Sequence, residues 1–102
     1  MSRLEQILKM LTNDPKDTFL NFALAMEYVK SGQLEEAVTQ FAKVSEVDPH
    51  YIASYFQRGN TLITLGRLHD ASAVLREGIA VAERIGDHHA AGEMGEVLAT
   101  LG

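Results

Sequence analysis

The only two prolines of this chain stand 34 positions apart, in Asp14-Pro15 and Asp48-Pro49. The same step of 34 joins Gly32 to Gly66, Leu34 to Leu68, Ala37 to Ala71, Phe41 to Leu75, Phe22 to Phe56 and Tyr28 to Leu62. A fixed period of this length marks a repeat array. One supersecondary unit recurs, and each copy buries its apolar face only by stacking on its neighbours. With 102 residues in all, the chain has room for one small domain of such units.

Within each unit the local period is helical. Leu4, Ile7, Leu8 and Leu11 follow the spacing of a single helix face, as do Leu20, Leu24 and Tyr28, and Leu34, Ala37, Val38 and Phe41. No strand-like alternation persists. Ser31-Gly32 and Leu65-Gly66 end two helices, because glycine takes the left-handed cap conformation readily. Asp48-Pro49 ends another, since proline breaks the hydrogen-bond ladder and restricts the residue before it. The pattern predicts six helices, over 2–13, 17–31, 33–47, 51–65, 67–85 and 87–101. Their connections are short enough that sequence neighbours must form antiparallel hairpins.

These residues resemble the tetratricopeptide repeat (TPR), whose pattern carries a small-residue step and an aromatic in its first helix, Ala and Phe four apart in its second, and a closing Pro. The first full unit, 18–51, shows Asn21, Leu24-Ala25, Tyr28, Gly32, Ala37, Phe41 and Asp48-Pro49. The second, 52–86, shows Tyr55, Arg58-Gly59, Leu62, Gly66, Ala71 and Leu75, with Ala82-Glu83 where the proline would stand. Its second helix is therefore expected to run on to about Ile85. Residues 2–15 look like the second helix of a preceding unit. Residues 87–102 look like a half unit two residues late, with Met94-Gly95, Leu98 and Gly102 standing 36 positions after Arg58-Gly59, Leu62 and Gly66. The resemblance implies one all-α domain over 1–102, a right-handed superhelical stack of helix hairpins.

The resemblance also implies a concave groove lined by the first helix of each unit. In the first unit the lining residues are Phe19, Phe22, Met26, Val29 and Lys30. In the second they are Ala53, Phe56, Asn60, Ile63 and Thr64. Phe22 and Phe56, one period apart, are expected to stack as a two-rung aromatic ladder, with the adaptable Met26 beside them. Such a face suits an apolar or amphipathic peptide or helix of a partner protein. Some TPR proteins clamp a chaperone's C-terminal carboxylates with Lys, Arg and Asn; here Phe22 and Met26 occupy places where that clamp puts Lys and Asn, so the clamp is disfavoured. The competing reading is structural. The same face, or Ala91, Met94, Val97, Leu98 and Leu101 of a last helix with no follower, would join two copies of the chain. The N-terminal helix, with Arg3, Glu5, Gln6 and Lys9 outward, serves as a polar end cap.

Arg58 departs from the family's Leu at a core-facing step, where an unpaired charge is costly. Two placements are open: an ion pair with a carboxylate such as Glu27, or a contact with an acidic group in the groove.

Catalytic and nucleic-acid functions find little to rest on. A net charge of −5 opposes a nucleic-acid footprint. With no cysteine there is no thiolate metal site or cysteine nucleophile. His89 and Glu93 share a helix face but make two ligands at most, short of the three or four that zinc requires. His50 falls in the turn after Asp48-Pro49 and reads as solvated. Gly92-Glu93-Met94-Gly95 lies inside a helix and lacks the Lys-Ser/Thr of a phosphate loop; no Gly-x-Ser-x-Gly elbow exists. Asp87 is placed to cap the last helix. No apolar run is long enough to span a membrane, and Glu5 interrupts any signal-peptide core, so a cytoplasmic location is expected. The expected function is thus a non-catalytic protein-interaction module that uses no metal and no cofactor.

Overall fold

The computed structural model describes residues 1–102. Six α-helices and no strands account for nearly the whole chain: α1 Arg3–Asn13, α2 Thr18–Lys30, α3 Leu34–Val47, α4 Ile52–Thr64, α5 Leu68–Ile85 and α6 His88–Ala99. Each helix packs chiefly on its neighbours in sequence, as a chain of hairpins requires. The result is 42 Å long and 17 Å thin.

Two kinds of corner repeat. At Gly32, Gly66 and Gly86 the backbone turns left-handed, with φ of 78°, 77° and 86°. The amide after each glycine then donates five residues back, Gln33 to Tyr28 and Arg67 to Leu62 at 2.8 and 2.9 Å, and Asp87 to Ala82 at 2.8 Å. These bonds satisfy carbonyls the helix ends would otherwise leave orphaned. At the Asp-Pro corners the amides of Asp17 and Tyr51 donate back to Asp14 and Asp48. Helix N-termini are capped where the sequence supplies an acceptor. Ser2 and Glu5 form a reciprocal capping box, and Asp17 and Asp87 accept from the amides of Leu20 and Ala90 at 2.8 and 3.1 Å.

The core forms two clusters. Ala25, Ala37 and Phe41 anchor the smaller, between α2 and α3. The larger runs from Val38 through Tyr55, Leu62, Ala71, Leu75 and Val81 to Met94. Phe41, Leu62 and Leu75 are fully buried, and each contributes on the order of 1.5–3 kcal/mol by leaving water. Small residues set the helix spacing. A Cβ at Gly59 would lie 2.7 Å from Leu75, and one at Gly78 would lie 2.6 Å from Tyr55.

The last helix resolves one of the two orders of packing open to it. Ala91 and Met94 are buried, and Val97, Leu98 and Leu101 pack on the large cluster. Its apolar side turns inward onto α5, with Val97, Leu98 and Leu101 half-buried there.

Candidate peptide-binding groove

Alternation of hairpins sorts the helices into two layers. One holds α1, α3 and α5. Leu8 and Leu11 of α1 share a cleft with Gln40 and Lys43 of α3, and Val38 of α3 shares another with Val74 and Glu77 of α5. The other layer holds the first-type helices α2, α4 and α6. Its outward stripe is the candidate groove.

Along α2, Phe19 is 66% exposed, whereas Phe22, Met26 and Val29 are half-buried. Lys30 reaches into solvent and pairs with Glu27 at 3.6 Å. Along α4, Ala53 and Thr64 are exposed, and Phe56, Asn60 and Ile63 are half-buried. The Thr64 hydroxyl is turned back onto the Asn60 carbonyl at 3.1 Å. The ten residues thus offer an interrupted apolar strip with Phe19 as its most prominent ring.

Two expectations need correction. Phe22 and Phe56 do not form a ladder. The Phe22 ring meets Phe41 at 5.7 Å and Tyr51 at 5.1 Å, both tilted by nearly 60°, while Phe56 packs against the larger cluster. Tyr51, in the turn ahead of α4, supplies the ring that the ladder assigned to Phe56. Tilted pairs of this kind suit aromatic quadrupoles better than face-to-face stacking. Nor does Arg58 pair with Glu27. Glu27 is held by Arg3 and Lys30, each at 3.6 Å. Arg58, on α4, faces α3 and α5 and not the strip, and borders two clefts there together with Glu77. Its Nε is buried without a hydrogen-bond partner.

Asn21 and Tyr55, one period apart, each tie the start of a first-type helix to a proline corner. Asn21 Nδ2 donates to the Pro15 carbonyl at 3.0 Å, and the Tyr55 hydroxyl donates to the Pro49 carbonyl at 2.7 Å. Asn21 is fully buried, and its Oδ1 accepts from Gln40 at 2.7 Å. Burial raises the Tyr55 hydroxyl above its usual pKa. These bonds hold the α2 and α4 N-termini, and with them the Phe19 and Ala53 ends of the strip, at a set angle.

The one histidine–carboxylate contact joins His89 and Glu93 at 3.4 Å, with the imidazole well exposed. No group of three or more His, Asp or Glu side chains is arranged to hold a metal ion. His50 sits in the exposed turn, its amide bonded to Asp48. No helix is long and apolar enough to cross a membrane.

The repeat register and the hairpin geometry agree with what is known of other chains. A TPR-repeat family model matches residues 25–66, and a tetratricopeptide-repeat model matches residues 52–85. A TPR repeat-containing protein of Pseudomonas aeruginosa is 31% identical over 91 residues, covering 89% of this chain and 87% of its own. The chain belongs to the tetratricopeptide repeat family. The TPR domain protein of Salinibacter ruber, solved by NMR, is 31% identical and superposes with a TM-score of 0.80, covering 86% of this chain and 89% of its own. YrrB, a TPR protein with an unusual peptide-binding site, is 26% identical with a TM-score of 0.78; the match covers 91% of this chain and 46% of YrrB.

The TPR register also extends the inner layer to α6, which the sequence reading left out of the groove. His89, Gly92 and Glu96 stand 36 residues after Ala53, Phe56 and Asn60. The signal was present in the same offset that aligns Met94-Gly95 with Arg58-Gly59.

Proposed function

We propose that this TPR domain is a non-catalytic protein-interaction module that holds a peptide or helix of a partner protein along the strip from α2 to α4. The exposure of Phe19, on a helix whose neighbouring apolar residues are themselves only half-buried, carries the reading. A ring this exposed gains little from folding and much from being covered. The peptide-binding site of YrrB, a relative by sequence and fold, supports the same use of the scaffold. Binding by such a surface requires no group transfer, only burial of a few anchors in a shape already built by the hairpins.

A library of random dodecapeptides displayed on phage, panned against the immobilised chain, tests it. Binders whose affinity collapses in Phe19→Asp and Met26→Asp support the groove. Binders indifferent to both, or none at all, overturn it.

Exposed Phe19 equally favours a second reading, in which two copies of the chain cover this face. Absolute mass by light scattering over a range of concentrations separates the two. A monomer throughout removes self-association; a dimer that Phe19→Asp dissociates establishes it.

A further inference from the structure

The repeat register sets three rows of positions across the inner layer from α2 through α4 to α6, and they change character in one direction. Phe22, Phe56 and Gly92 form one row, Met26, Asn60 and Glu96 a second, and Phe19, Ala53 and His89 a third. The first falls from a large ring to no side chain. The second passes from apolar to neutral polar to acidic. Glu96 is exposed and joins no ion pair, and Glu93 lies one helical turn before it, 3.4 Å from the exposed His89. Lys30, the one basic residue of the strip, pairs with Glu27 at 3.6 Å at its far end.

Gly92 adds an independent observation. Gly59 and Gly78 are required by packing, but a Cβ at Gly92 would meet nothing within 4 Å. A glycine inside a helix costs about 1 kcal/mol relative to alanine. Here no contact within the chain offsets that cost. Its absent side chain widens the α6 end of the face and lets a ligand backbone come close.

We propose, building on the groove reading, that the partner is a cationic amphipathic peptide laid across the three helices, with large apolar side chains on Phe19, Phe22 and Met26 and a lysine or arginine against Glu96 beside Gly92. Complementary charge at one end fixes the direction in which the peptide lies, while the apolar end carries most of the affinity. The net charge of −5 on the domain steers the same ligand.

The peptides recovered from the dodecapeptide library decide it. Enrichment of Lys or Arg several positions from an apolar anchor is expected, with affinity that falls as salt rises. Fluorescence anisotropy of a recovered peptide should show a loss of about fivefold or more in Glu96→Lys, and a milder loss in Gly92→Val, both variants retaining the parent helical circular dichroism. Binders that require Phe19 but are acidic, or are indifferent to Glu96→Lys, overturn the cationic partner and leave the groove reading intact. Failure to recover any Phe19-dependent binder overturns both.

Discussion

The Tyr55 hydroxyl donates to the Pro49 carbonyl at 2.7 Å and so ties the middle of the first turns of α4 to the corner that precedes it. Tyr55 is 2% exposed, and the carbonyl it satisfies belongs to a proline, whose nitrogen has no hydrogen to donate. Replacing Tyr55 with Phe keeps the ring packing and removes only the bond. The variant is expected to lose about 1–2 kcal/mol, since a polar carbonyl is left to find water at a crowded corner. Urea unfolding followed by circular dichroism measures it, with the midpoint lowered and the slope unchanged.

The same hydroxyl predicts an alkaline limit. Burial raises its folded pKa above the unfolded value near 10. Between those two values the unfolded chain has lost the proton while the native chain keeps it, so stability present below pH about 10 declines as pH rises through the folded pKa. Stability measured across that range is expected to fall more steeply in the parent than in Tyr55→Phe. Parallel curves would show that the decline belongs to other groups.

Glycines of identical helical context should respond with opposite signs. At Gly78 a new Cβ would stand 2.6 Å from Tyr55 Cβ and 2.7 Å from Met94 Sδ. The first of these atoms is fixed to the α4 backbone and has no rotamer by which to retreat. Gly78→Ala is expected to cost about 1–3 kcal/mol by overpacking. Gly92→Ala meets nothing and should gain about 0.5–1 kcal/mol from helix propensity alone. Thermal melts of the two variants beside the parent compare them directly.

How far the chain could be read before its structure follows from these contacts. The helix limits were legible because period, glycine and proline each act locally: α5 runs to Ile85 where no proline stops it, and Gly86 turns left-handed there. Ring partners were not legible. Phe22 finds Phe41 and Tyr51 because the crossing of α2 over α3 and the path of the Pro49 corner bring them in, and neither depends on the period of 34. A periodic pattern names a face, and at Arg58 two layers share that face. The inner-layer role of α6 was legible in its offset of 36, whose two extra residues match the extra length of α5.

Arg58 and Leu24 occupy equivalent steps of α4 and α2 and supply the last comparison. Leu24 is 4% exposed at the floor of the α1–α3 cleft. Arg58 borders the matching α3–α5 cleft, a cavity of about 340 Å³, with its Nε buried and unpartnered. An unsatisfied donor of this kind costs about 1–3 kcal/mol in lost hydration, and leucine at the same step restores the arrangement of the first repeat. Arg58→Leu is therefore expected to raise the urea midpoint while leaving peptide binding unchanged, because the side chain borders the α3–α5 cleft and not the strip. A lower midpoint would mean that Glu77, which borders the same cavity, stabilises the guanidinium through solvent. In that event Glu77→Gln would reproduce the loss in the parent and add nothing in Arg58→Leu, the signature of two residues acting as one pair.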